Sequence, residues 1–128
     1  MNYLPEQKSK QLQYESDAWK RVLGFMSDEN IRLKNRLSEI LKDNFNKNLL
    51  EDVENFLSKF IKEDELICIL WNDLNELDKL LMKEIFEVGK LNKKIEIKLN
   101  KLRNNMLTAE RQFGKLKLAF SSYFIENI

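Results

Sequence analysis

From Leu50 to Leu102 one interval repeats without losing phase: Leu50, Val53, Leu57, Phe60, Asp64, Ile67, Trp71, Leu74, Asp78, Leu81, Ile85, Val88, Asn92, Ile95, Leu99 and Leu102. Alternating steps of three and four mark a helix that buries one stripe of its surface. An earlier stretch does the same through Trp19, Leu23, Met26, Asn30, Leu33, Leu37, Ile40 and Asn44. The later phase continues through Met106, Ala109, Phe113, Leu116, Phe120 and Tyr123. Three glycines and one proline in 128 residues leave little punctuation for hairpins. The expectation is an all-α fold of two to three long antiparallel helices forming a coiled-coil-like bundle.

"DNFNKN", residues 43 to 48, is the strongest turn, with Asn48 as candidate N-cap and Glu51 three residues later in a capping-box relation. Residues 1–15 read as a flexible or frayed lead-in, although Pro5 before Glu6 could open an early turn. Residues 16–128 read as one helical-bundle domain with helices near 16–44, 48–103 and 106–126. The break is placed at Asn104-Asn105, because Lys98, Lys101 and Arg103 would then sit in a last turn where cations suit the helix dipole. A turn at Gly89 competes, but it puts Lys93 and Lys94 in a first turn, the wrong sign for that dipole.

Leu49, Phe56, Leu70, Leu77 and Leu91 precede seam positions, whereas Ile61, Cys68, Met82 and Phe124 follow them. The second helix therefore has the broad apolar face of a bundle helix. A first helix of about 29 residues covers only half of a second of about 55, so self-association is expected, with a dimer favoured.

Several chemistries are excluded or disfavoured. There is no histidine, which removes imidazole-based triads and the Glu-x-x-His pairs of a di-iron bundle, even though Asp64 and Asp78 lie on the seam two heptads apart. Cys68 is single, forms no internal disulfide, and reads as a small core hydrophobe beside the seam; Trp19 and Trp71 read as core anchors. Gly24, Gly89 and Gly114 are isolated and make no phosphate-cradling loop. No metal, cofactor or catalytic residue is expected, and the chain does not read as an enzyme. The longest apolar run, "LICILW" at residues 66–71, is far short of the roughly 20 residues of a membrane span. The first ten residues lack the apolar stretch of a secretory signal, so a cytoplasmic setting is expected.

Charge is uneven. Residues 43–87 carry 5 basic and 12 acidic side chains, and residues 88–128 carry 9 and 3, so these segments should attract, within a chain or between chains. Lys90, Lys94, Lys98 and Lys101 fall within about an 80° arc and could meet a protein partner or phosphate. Specific nucleic-acid sites add arginine clusters or stacking aromatics, and residues 90–112 contain no aromatic. Nucleic acid is accordingly the competing partner, and an unknown protein the expected one. Phe113, Phe120, Tyr123 and Phe124 form an aromatic-dense end that reads as a docking surface for another helix.

Reflecting the first helix onto the second about residue 45.5 brings Asn30 and Asp64 within about one turn of each other. Two polar groups at one level of apolar seams make a candidate register-setting pair. The competing reading is that each reaches solvent at the edge of a wide face.

The stretch from Trp19 through "ENIRLKNRL" (29–37), with "KLR" (101–103), Phe113, Leu116-Lys117 and Phe120, resembles a group of small all-helical, coiled-coil-like bacterial proteins to which no activity is attached. The resemblance implies a helix-rich architecture and a bacterial origin, and it carries over no site. The function expected is that of a non-enzymatic scaffold or adaptor acting through helical self-association and helix-mediated protein binding. The alternative is a nucleic-acid-associated protein using the lysine stripe at residues 90–101.

Overall fold

The computed structural model describes residues 5–43, 47–86 and 92–127, and every one of them is helical. The elements are α1 (Pro5–Asp43, 39 residues), α2 (Lys47–Phe86, 40 residues) and α3 (Asn92–Asn127, 36 residues). At 1.5 Å per residue each is about 54–60 Å long. α2 packs against both of the others, more extensively against α1. The chain is thus an all-α bundle running up, down and up.

Heptad phase selects most of the core. Leu23, Met26, Leu33, Leu37 and Ile40 of α1, Val53, Phe60, Ile67, Leu74 and Leu81 of α2, and Ile95, Leu99, Leu102, Met106, Ala109, Phe113 and Phe120 of α3 are all buried. Burial of these side chains, each contributing about 1.5–3 kcal/mol for the large ones, is what holds three helices of modest propensity together.

Helix boundaries differ from expectation in three places. First, α1 begins at Pro5, the first helical position where proline's missing N–H costs nothing, so residues 5–15 are not a lead-in. Stepping back from Trp19 by three and four gives Ser16 and Leu12, which are 0% and 8% exposed, because α2 is long enough to partner these turns. Second, Asn104 and Asn105 lie inside α3, and no break occurs there. α2 ends at Phe86 and α3 opens at Asn92, and the competing turn at Gly89 lies outside the described residues. Lys93 and Lys94 do occupy the first turn of α3. That mismatch with the dipole is worth about 0.3–1 kcal/mol per charge and is outweighed by the seven buried seam residues that fold-back brings onto α2. Third, α2 begins at Lys47, which puts Asn48 inside its first turn; the capping position falls on residues 44–46, outside the described residues.

These boundaries also change the packing argument. Three helices of nearly equal length cover one another end to end, so no half of a 55-residue helix is left bare. Exposure is one-sided instead. The residues preceding the α2 seam are sheltered by α3, with Leu70 and Leu77 at 1% and 0%, whereas those following it stay open, with Ile61 at 45% and Met82 at 55%. Cys68 is on that open flank and is exposed, and Trp71 is 40% exposed, so neither is the core residue expected from its place at or beside the seam. The physical cause is the side of α2 that α3 occupies, which heptad phase does not specify.

Candidate functional site

The polar groups of the α1/α2 seam form two copies of one arrangement. Ser16 Oγ donates to Asp78 Oδ1 at 2.8 Å, and Lys20 pairs with the same carboxylate. Fourteen residues further on, Asn30 Nδ2 donates to Asp64 Oδ1 at 2.5 Å, and Lys34 pairs with that carboxylate. Residue numbers sum to 94 for Ser16 with Asp78 and for Asn30 with Asp64, as antiparallel helices in one constant register require. Ser16 and Asn30 are both fully buried. Asn30 Nδ2 also donates to the Phe60 carbonyl at 2.8 Å, while its Oδ1 is buried and meets no donor among the described residues.

The α1/α3 contact has the same period. Arg103 grips Glu15 with two hydrogen bonds of 2.8 and 2.9 Å, Lys117 approaches Glu29 at 3.5 Å, and the Arg36 guanidinium lies 4.7 Å from the Phe124 ring centre. Each pair is 88 residues apart, so α1 and α3 run parallel and in step. The Glu15 bonds raise the Arg103 pKa, and the Arg32 hydrogen bond is the main cause that lowers that of Glu29, ahead of Lys117. Each layer of α1 thus uses Glu toward α3, the next residue toward the core, and a lysine four residues on toward α2. That order is legible as "ESDAWKRVL" (15–23) repeated in "ENIRLKNRL" (29–37), a signal that periodicity of apolar residues alone passes over.

The α2/α3 seam is built differently. Phe120 packs edge-on to Phe56 and Phe60 at centroid distances of 5.4 and 5.6 Å, and Tyr123 donates to Asp52 at 3.1 Å. Phe113 and Phe120 are buried and Tyr123 and Phe124 half-buried, so the helix on which this aromatic end docks is the chain's own α2, with Arg36 of α1 over Phe124. Within this seam Glu63 is 9% exposed, and its Oε2 has no hydrogen-bond partner among the described residues. Burial, and secondarily the neighbouring Asp64 carboxylate, push its pKa above the usual range. Lys59, Lys62, Leu66, Gln112 and Leu116 rim the shallow groove beside it.

A second, larger groove of about 510 Å³ runs along the open flank of α1 and α2, lined by Leu23, Gly24, Ser27, Asp28, Asp64, Ile67, Cys68 and Trp71. A Cβ added at Gly24 would meet nothing within 4 Å. A glycine inside a helix costs roughly 0.5–1 kcal/mol relative to alanine, and no close approach among the described residues requires it here.

The lysine stripe is divided. Lys98 reaches back to Glu76 of α2 at 2.6 Å, Lys94 and Lys101 are exposed, and Lys90 lies outside the described residues. Lys98–Glu76 is the one ion pair between the acidic α2 and the basic α3 among the described residues; the other paired α3 cations go to α1 glutamates, and Asp64 and Asp78 to α1 lysines. No group of three metal-ligating side chains converges among the described residues, and no described helix is long and apolar enough to cross a membrane.

No protein-family model matches the chain, and no curated protein or solved structure does. The geometry offers a largely apolar groove about two helical turns long and a set of polar clamps. The Ser16 hydroxyl does donate to the Asp78 carboxylate, but it is fully buried.

Proposed function

We propose that this chain is a cytoplasmic, non-enzymatic interaction protein, a scaffold or adaptor that acts through helical self-association and through helices docked on its surface. The observation that carries this reading is the α1/α2 groove. Leu23 and Ile67 form its floor, Gly24 leaves room for close approach, and the Trp71 ring stands at its rim, 40% exposed. Exposed aromatics beside a preformed apolar groove are the usual anchor of a helix-in-groove interface. Size exclusion with light scattering at micromolar concentration tests it: a mass above the 15.4 kDa monomer is expected, and a clean monomer that also captures no protein from cell extract would refute it.

The competing nucleic-acid reading is weakened by Lys98, which is occupied by Glu76. Labelled duplex and single-stranded oligonucleotides at about 0.15 M salt should bind only in the non-specific range, roughly 10⁻⁴ to 10⁻⁶ M. Tight binding lost in Lys94→Glu with Lys101→Glu would favour it instead.

A further inference from the structure

We propose that the partner at this groove is a second copy of the chain, docked antiparallel along the outer face of α1 about a two-fold axis between Gly24 and Phe25. The inference rests on the self-association reading and specifies its surface.

The outer face of α1 is written as a charge-reversed palindrome. Lys10, Asp17, Arg21, Asp28, Arg32 and Glu39 fall with Gly24 and Phe25 within an arc of about 100° on the solvent side. Placed antiparallel about the Gly24/Phe25 midpoint, Arg21 faces Asp28 of the other copy, Asp17 faces Arg32, and Lys10 faces Glu39. Each pair is opposite in sign and occurs twice, as an isologous interface demands. Sliding one turn either way sets Asp17 against Asp28 or Lys10 against Lys42, so charge selects this register. Arg21 and Asp28 are exposed and have no partner among the described residues, whereas Asp17 and Arg32 make only local contacts, with Gln13 and Glu29.

Packing agrees with charge. Phe25 is 76% exposed, and at this register it stands level with Gly24 of the other copy, where an added Cβ would meet nothing within 4 Å. A ring entering beside a glycine is a knob in a hole, made twice by the symmetry. The absent Cβ of Gly24, which serves no contact inside the chain, thereby acquires a use.

Charge-swapped variants test this with full-length protein. Arg21→Asp alone sets two acids against each other across the axis, and Asp28→Arg alone sets two bases. Each variant should remain helical and lose dimer, its apparent Kd rising roughly tenfold or more. Mixed one to one, the two variants should recover the wild-type Kd, because each heterodimer restores both opposite-charge pairs. Gly24→Leu, which fills the hole and whose Cβ meets nothing within 4 Å, should also shift the protein toward monomer. A wild type that self-associates while both charge variants and Gly24→Leu do so equally well would overturn this interface and leave the self-association reading standing. A wild type that is monomeric would remove both.

Discussion

Glu63 and Asp64 are adjacent carboxylates on one helix with opposite fates. Asp64 points toward α1 and is held by the Asn30 amide and the Lys34 ammonium. Glu63, 100° further round, faces the α3 side and keeps an oxygen with no partner among the described residues. Two seams of one bundle thus handle polar groups differently. In the α1/α2 seam each of two polar levels bonds across the interface, although Asn30 Oδ1 meets no donor among the described residues, and a slipped pairing would strand further buried groups at about 1–3 kcal/mol apiece. The α2/α3 seam relies on aromatic packing, which resists separation but is more tolerant of sliding. Polar groups matched across a seam are a known register device, whereas apolar area supplies strength.

Substitutions at the meeting point and on each side of it can break this contrast. Phe60 belongs to both seams, accepting from Asn30 through its carbonyl and packing its ring on Phe120, so Phe60→Ala should cost about 3–5 kcal/mol in urea unfolding. A loss below about 1 kcal/mol would mean that the seams do not meet there. Asp64→Ala should cost about 1–3 kcal/mol, because it removes one of the two bonds donated by the buried Asn30 amide and leaves Lys34 unpaired. Its neighbour should respond with the opposite sign: Glu63→Leu should stabilise by about 1 kcal/mol at pH 7. Equal destabilisation by the two would erase the distinction.

The Glu63 effect should depend on pH in a defined direction. Its folded-state pKa is raised above the 4.5 of the unfolded chain, first by burial and then by Asp64. The folded state therefore holds the proton more tightly. The contribution of Glu63 is fully favourable below about pH 4.5 and is lost as pH rises through the raised value. The stability gained by Glu63→Gln should accordingly grow from near zero at pH 4 to its full size at pH 8. A gain that is flat with pH would place the carboxyl in water. Smallest of all, Gly114→Ala should stabilise by roughly 0.5–1 kcal/mol without changing association, since an added Cβ there meets nothing within 4 Å.

Much of this was legible from residue spacing, and the failures share a cause. Steps of three and four pick out Leu23, Leu37, Phe60, Leu74 and Leu102 correctly, because the stripe a helix buries follows from its period. The same regularity hid the break between α2 and α3: the phase runs unbroken across residues 87–91, so a chain that turns there and one that continues look alike. Lys98 and Arg103 misled for a related reason. Read as cations for a helix end, they are instead partners of Glu76 and Glu15, contacts that exist only once three helices are assembled. Trp71 and Cys68 lie open because α3 took the other flank of α2, a choice of hand that no single helix encodes. Reflection about the turn brings Asn30 and Asp64 together, while Ser16, the counterpart of Asn30, emerges only when the segments 15–23 and 29–37 are read as one repeated unit.

Native-state amide exchange measured helix by helix tests most directly whether the two seams are unequal. The slowest amides should cluster around the two clamps, near residues 16–34 of α1 and 60–78 of α2, with α3 opening at a lower free energy while α1 and α2 stay protected. Exchange slowest in α3, or identical in all three helices, would contradict the account.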